Sequence, residues 1–166
     1  MQADDAAPPK PLTKLAGTVL LDWMIEKLIA AGVAHIIINI HFKADMIIDH
    51  VRAHAYGAKI SLSDERAGLL DTGGGVAKAH ALLETMLASE LQGAPFFICN
   101  ADIIWLETHS NLQALSQTFD VASMDACLLL TKRAQASGYE GRGDFNMDAE
   151  GHIIRPEKRG GQGAYV

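Results

Sequence analysis

Ile36-Ile37-Ile38-Asn39-Ile40 is a short, nearly all-apolar run rich in β-branched residues, set between two stretches of helical periodicity. No other feature of the chain constrains its fold as strongly. Before it, Leu20, Leu21, Met24, Ile25, Leu28 and Ile29 recur at spacings of one, three and four, which puts them on one face of a helix spanning Val19 to Ala31. Gly32 follows at the position of a helix-ending glycine. After it, Met46, Ile47, His50 and Val51 mark a second helix over Ala44 to His54. An apolar strand between amphipathic helices predicts a parallel sheet with that strand covered on both faces.

The alternation continues. Ile60 and Leu62 alternate with Lys59, Ser61 and Ser63, the pattern of a strand nearer an edge. Val76 to Leu91 carries Val76, Ala79, Leu82, Leu83, Met86 and Leu87 on one side of a long helix. Further strands are expected at Pro95 to Cys99 and Ala126 to Thr131, with a short helix at Asn111 to Phe119 between them. A hairpin is expected from Phe145 to Arg155, turning at Asp148-Ala149-Glu150-Gly151. The fold class is α/β with a doubly wound, mostly parallel sheet. Residues 1–166 are expected to form one domain, with 1–8 a flexible N-terminus.

Composition narrows the function classes. The 166 residues are 49% hydrophobic and 20% charged, ordinary for a globular domain with a core. The formal net charge is −6 without a long basic run, which argues against nucleic acid as a partner. Cys99 and Cys127 each lie in an apolar run and are expected to be buried free thiols. No stretch approaches the ~20 apolar residues of a membrane helix, and Met1 to Asp5 lacks the apolar core of a signal peptide. These features predict a soluble, cytoplasmic protein without membrane partners.

Three segments carry candidate chemistry. Pro9-Lys10-Pro11-Leu12 holds a lysine between prolines, which restrict the backbone and pre-position an ammonium. Asp71-Thr72-Gly73-Gly74-Gly75 precedes the long helix. Its glycines allow close approach of a ligand to backbone N–H groups, and the helix N-terminus favours acceptors and negative charge. The alternative is that Thr72 is the helix N-cap, with a flexible loop before it. It is not a Walker loop, because no Gly-Lys-Ser/Thr follows. Asn100-Ala101-Asp102 lies directly after an apolar run, where a carboxylate is poised to hold Mg²⁺ or, alternatively, to cap a turn. Its spacing is also close to the Asp-x-Asp of sugar-nucleotide-using glycosyltransferases, with Asn in the first place. His50 and His54 share a helix face, but the sequence offers no third metal ligand, so a partly exposed polar face is expected. His41 follows a strand end on the ligand side of the sheet, and Asp64-Glu65-Arg66 is expected to be a charged surface turn.

Together these segments resemble the sugar-phosphate nucleotidyltransferase family, in particular its N-acetylmuramate-1-phosphate uridylyltransferase and mannose-1-phosphate guanylyltransferase-like branches. The landmarks are Pro9-Lys10-Pro11-Leu12 with Ala16-Gly17, Ala31-Gly32-Val33 leading into the Ile36 strand, Thr72-Gly73-Gly74-Gly75, Asn100-Ala101-Asp102 and Gly141-Arg142-Gly143-Asp144-Phe145. The resemblance implies a Rossmann-like fold and a Mg²⁺-dependent transfer of a nucleoside monophosphate to a sugar 1-phosphate, with release of pyrophosphate. It implies that Lys10 is catalytic, contacting phosphate and offsetting charge in the transition state, and that Asp102 is catalytic and binds Mg²⁺, with Asn100 sharing its turn and binding nucleotide. Gly73, Gly74 and Gly75 would lie against the nucleobase, and Gly143 and Asp144 near the sugar phosphate. UTP and N-acetylmuramate 1-phosphate are the favoured substrates, with GTP and mannose 1-phosphate next, which points to precursor synthesis for a cell wall.

Two parts of the family pattern have no counterpart. The family opens with a strand and a glycine-rich, arginine-containing loop, and its second metal-binding aspartate lies further on. The sequence is therefore expected to be a part of a longer protein. The alternative functions are a non-catalytic nucleotide- or sugar-phosphate-binding module and a glycosyltransferase. Lys10 argues against the glycosyltransferase, which consumes a nucleotide sugar and has no need of that phosphate lysine.

Overall fold

The computed structural model describes residues 7–86, 94–156 and 161–166. They gather into two compact units, Met1–Ala114 and Leu115–Val166.

The first unit opens with a hairpin. β1 (Lys14–Leu15) pairs antiparallel with β2 (Thr18–Val19), Leu15 opposite Thr18. The two linking residues, Ala16 and Gly17, both have positive φ, 52° and 91°. This is the backbone of a type I′ turn, whose twist matches that of the strands it joins.

α1 (Leu20–Ala30) buries Leu21, Met24, Ile25 and Leu28, the face its periodicity predicts. Gly32 ends it at φ +93°. The Val33 N–H donates to the Leu28 carbonyl at 3.0 Å and the Gly32 N–H to the Ile29 carbonyl at 2.9 Å, a Schellman closure. The chain then enters β3 (His35–Ile40), which pairs in parallel with β4 (Lys59–Asp64), Ile36 opposite Ile60 and Ile40 opposite Asp64. α2 (Ala44–Ala53) is the crossover between them.

β3 buries one face rather than two. Ile36, Ile38 and Ile40 are buried, Ile37 is half-buried and Asn39 is exposed. Alternation of this kind arises when only one side of the pleat meets the core, which here also takes in Ala44 and Ile47 of α2 and the α1 face.

α3 (Thr72–Met86) starts earlier than the sequence predicts, because the glycine triplet lies inside its first turn. Residues 87–91, the expected end of this helix, lie outside the described residues. The run Pro95 to Cys99 forms no ladder: Phe97 and Cys99 pack on the core, but no strand among the described residues pairs with them. Apolarity alone buries such a segment, whereas a strand also needs a neighbour's backbone groups. Cys99 and Cys127 are both free, and half-buried rather than buried. α4 (Asn111–Thr118) buries Leu112 in the first unit's core.

In the second unit, β5 (Asn146–Met147) pairs antiparallel with β6 (Ile153–Ile154), as the hairpin pattern predicts. Ala126 to Thr131 is not a strand, and only the chain at its end is paired: Thr131 and Val166 exchange hydrogen bonds of 3.0 Å, and Lys132 bridges Tyr165. No helix among the described residues is long and apolar enough to cross a membrane.

Candidate functional site

Lys10 begins a single 3₁₀ turn, Lys10–Leu12, with Pro9 and Pro11 on either side. The Leu12 N–H donates to the Pro9 carbonyl at 2.8 Å, and the Thr13 N–H to the Lys10 carbonyl at 2.9 Å. Pro9 is buried, yet the Lys10 side chain is 85% exposed. The backbone is thus fixed while the ammonium stands in water.

Asp102, distant in sequence, lies beside it. Its Oδ2 is 3.9 Å from Lys10 Nζ. At this separation and exposure the pair contributes about 0–1 kcal/mol to stability, so its significance is positional. The two residues line a cleft of about 490 Å³ together with Pro11, Asn39, His41 and Phe42. Asn39 belongs to the last turn of the pleat in β3, and His41 and Phe42 follow the strand directly. The cleft therefore lies outside the carboxyl end of a parallel strand, where open α/β sheets receive ligands. His41 is on the ligand side, as its position predicts. Asn39 and Phe42 are additions, and the one signal for Asn39 is that it interrupts an isoleucine run.

The donor set at the cleft fits Mg²⁺. Asp102 is the only carboxylate lining it among the described residues. One carboxylate with the remaining positions left to water and phosphate oxygens is a usual arrangement for this hard cation. Asn100 is exposed upstream of Asp102 and does not line the cleft.

The glycine triplet is built differently from a loop. Asp71, not Thr72, caps α3: its Oδ1 accepts the Gly74 N–H at 2.8 Å, and its carbonyl accepts the Gly75 N–H at 2.8 Å. Asp71 precedes the first helical residue, and a carboxylate there meets the N–H groups one turn in. Two of the three glycine N–H groups are thus engaged within the helix. Gly75 is buried against a polar pair, in which Asn39 Nδ2 donates to Glu65 Oε1 at 2.7 Å. Glu65 is 5% exposed, not part of a surface turn. Asp64 and Arg66 on either side are exposed, and there the expected charged turn is present.

Gly143 and Asp144 lie in the second unit. Gly143 has φ +83°, and a Cβ there would overlap the Gly163 backbone. The Gly143 N–H donates to the Tyr139 hydroxyl at 3.1 Å, and that hydroxyl donates to Asp144 Oδ2 at 3.2 Å. The Asp144 N–H donates to the Tyr165 carbonyl at 2.8 Å. This conformation presents one Asp144 oxygen to an internal partner and fixes its backbone.

Comparison with known proteins agrees with this architecture. The sequence pattern of a family described as nucleotidyl transferase matches residues 6–155. The N-acetylmuramate alpha-1-phosphate uridylyltransferase of Caulobacter vibrioides is 35% identical over 149 residues, covering 87% of this chain and 58% of that protein. The protein of the same description from Neisseria meningitidis is 34% identical over 158 residues, covering 93% and 62%. The mannose-1-phosphate guanylyltransferase catalytic subunit beta of Danio rerio is 35% identical over 98 residues, covering 58% and 25%. The chain spans about three fifths of the length of the two uridylyltransferases. With its match running through the lysine turn, the glycine-led helix and the Asp102 segment, the chain belongs to the nucleotidyl transferase family.

Proposed function

We propose that this chain carries the catalytic face of a Mg²⁺-dependent sugar-1-phosphate nucleotidyltransferase with a doubly wound, Rossmann-like fold. UTP and N-acetylmuramate 1-phosphate are the favoured pair, and a guanylyl transfer to mannose 1-phosphate is the next. The observation that carries the reading is the meeting of Lys10 and Asp102, 3.9 Å apart, in one cleft at the carboxyl end of β3. The similarity to two uridylyltransferases over most of this chain supports the choice of base and sugar.

In this reaction an oxygen of the sugar 1-phosphate attacks the α-phosphorus of the nucleoside triphosphate. The α-phosphorus–oxygen bond to the leaving pyrophosphate breaks as the new bond forms. Both reactants are anions, so catalysis rests on bringing them together and stabilising charge rather than on a protein nucleophile. Lys10 would bind phosphate oxygens through an ammonium whose backbone is already fixed, so little ordering is needed when substrate arrives. Asp102 would hold Mg²⁺, which when bound draws charge from the phosphate oxygens. Asn100 would support the Asp102 turn. Gly73, Gly74 and Gly75 would border the nucleobase, the exposed Gly73 leaving room for a flat ring beside the first turn of α3 while Gly75 packs against Asn39 and Glu65. Gly143 and Asp144 would approach the sugar phosphate.

The test is pyrophosphate release with Mg²⁺, UTP or GTP, and a panel of sugar 1-phosphates. The expected result is release with UTP and N-acetylmuramate 1-phosphate above all other pairs. A melting temperature raised by nucleotide without release from any pair would support a binding module instead.

A further inference from the structure

We propose that Asp22, His50 and His54 form a transition-metal site, with Zn²⁺ as its cation, that ties α1 to the end of α2 outside the Lys10–Asp102 cleft. One nitrogen from each imidazole and one Asp22 oxygen all lie within 4.8 Å of one another. His50 Nε2 and Asp22 Oδ1 are 2.9 Å apart. Neighbouring ligands on a tetrahedral zinc stand about 3.3 Å apart, given metal–ligand bonds of ~2.0–2.1 Å. The first pair therefore needs to part only slightly, and the third ligand, His54, stands exposed at the end of α2 with its ring centroid 4.2 Å from that of His50.

The surroundings suit a metal. Two imidazoles and one carboxylate are the donors that zinc and its first-row neighbours take, whereas Mg²⁺ wants oxygen throughout. The Asp22 and His50 side chains are only 15% and 17% exposed, so two ligands are shielded while the His54 side leaves an entry path. Two of the three ligands, His54 and Asp22, have an outer partner. His54 Nδ1–H donates to the His50 carbonyl at 2.7 Å, which fixes the tautomer whose Nε2 keeps its lone pair. The Tyr56 hydroxyl donates to Asp22 Oδ1 at 2.7 Å and holds the carboxylate in place. Glu26, on the same helix as Asp22, adds negative charge nearby. A bound cation would take the place of the His50 Nε2 proton shared with Asp22, which leaves to solvent.

Equilibrium dialysis of the metal-stripped chain against Zn²⁺, followed by elemental analysis, tests this directly. Co²⁺ serves as the spectroscopic probe of coordination number. We expect one Zn²⁺ per chain, a melting temperature raised by Zn²⁺, and visible Co²⁺ bands of the intensity given by four-coordinate sites. His54→Gln, at an exposed position that leaves folding intact, should weaken Zn²⁺ binding by at least tenfold and abolish both the melting shift and the Co²⁺ bands. Tyr56→Phe, which removes only an outer partner, should weaken binding by about tenfold. His152→Gln, at a separate histidine paired only with Asp148 in the second unit, should change nothing. Failure of the wild-type chain to retain Zn²⁺, or binding unchanged in His54→Gln, would overturn the site.

Discussion

Gly75 stands so close to Asn39 that a Cβ on it would lie 2.7 Å from Asn39 Nδ2 and 3.0 Å from Glu65 Oε1. The first turn of α3 is thus pressed against a half-buried hydrogen bond that joins the ends of β3 and β4. A side chain at this position would have to displace Asn39 and leave the Glu65 carboxylate short of its partner.

A gradient across the triplet follows. A Cβ at Gly74 would meet Asp71 Oδ1 and the Leu70 Cβ at 3.3 Å, and one at Gly73 only Asp71 Oδ1 at 3.7 Å. Alanine gains about 1 kcal/mol of helix propensity over glycine, against an overpacking cost of about 1–3 kcal/mol where space is lacking. Gly75→Ala should therefore destabilise the chain by about 1–2 kcal/mol, Gly74→Ala should be near neutral, and Gly73→Ala should stabilise it slightly. Urea unfolding of the three variants checks the order. Equal effects at all three would show that the close approach at Gly75 has no weight.

Lys27 and Glu107 make a shielded ion pair at 2.8 Å, their side chains 16% and 17% exposed. The Trp105 indole N–H and the Asn111 N–H both donate to Glu107 Oε2, at 2.7 and 3.1 Å. Lys27 Nζ also lies 4.8 Å from the Trp105 ring centroid. Burial works to raise the Glu107 carboxyl, but the hydrogen bonds from Lys27, Asn111 and Trp105 outweigh it and hold it below the usual range. A carboxyl lowered on folding stabilises the fold above its unfolded-state value, and that stabilisation is lost as pH falls through the folded value. Glu107→Ala should cost about 2–3 kcal/mol at neutral pH, because it leaves a shielded ammonium unpaired. The difference from wild type should shrink on acidification below the ordinary glutamate range, and denaturant unfolding at a series of pH values reads it. A pH-independent difference would contradict the assignment.

The Arg66 guanidinium grips Asp64, with Nε 3.0 and 2.9 Å from its two carboxylate oxygens, and also reaches Asp45 Oδ1 at 2.9 Å. Those hydrogen bonds hold the Asp64 carboxyl down at about 2. Its contribution to stability is present above the unfolded aspartate value and is lost as pH falls toward 2. Arg66→Ala removes the guanidinium but keeps the residue-66 N–H bond to Asp64 Oδ1, so it should raise the Asp64 carboxyl part of the way to the ordinary range, visible in a ¹³C NMR titration of the side chain. An unmoved midpoint would place the cause elsewhere.

Legibility in the sequence differed by the range of the interaction. α1 was readable because its apolar face and its closing Gly32 are local signals. β3 was readable as a strand, but the exposure of Asn39 depends on what covers each face, which no run of residues records. The start of α3 was misplaced for a related reason. Three glycines disfavour a helix locally, and contact with the Asn39–Glu65 pair outweighs that preference. Glu65 looked like a surface charge between Asp64 and Arg66, since its partner comes from another strand. The apolarity of Pro95 to Cys99 correctly placed Phe97 and Cys99 against the core but said nothing of a pairing neighbour. At the cleft, Lys10 was readable from its proline framing and His41 from its strand-end position, whereas Asp102 lines it although the run before it forms no ladder. The third ligand of the His50–His54 face, Asp22, was not, because it comes from a different helix.

Gly143 tests the second unit by itself. Its φ of +83° strains any side chain, and the Gly163 backbone occupies the space a Cβ would take. Gly143→Ala should destabilise that unit by about 2 kcal/mol or more, seen as faster amide exchange at Asp144 and Tyr165, whose N–H groups donate to the Tyr165 and Phe145 carbonyls. Unchanged exchange would contradict the close approach of Gly143 and Gly163.

The most direct test of the Lys10–Asp102 cleft is pyrophosphate release from UTP and N-acetylmuramate 1-phosphate by wild type and Lys10→Ala, compared at equal melting temperature. The Lys10 side chain is almost wholly exposed, so its removal should change stability by less than about 0.5 kcal/mol. Loss of an ammonium that stabilises the transition state should lower turnover by about a hundredfold or more. A Lys10→Ala protein that is as stable as wild type and releases pyrophosphate at the wild-type rate would contradict the account.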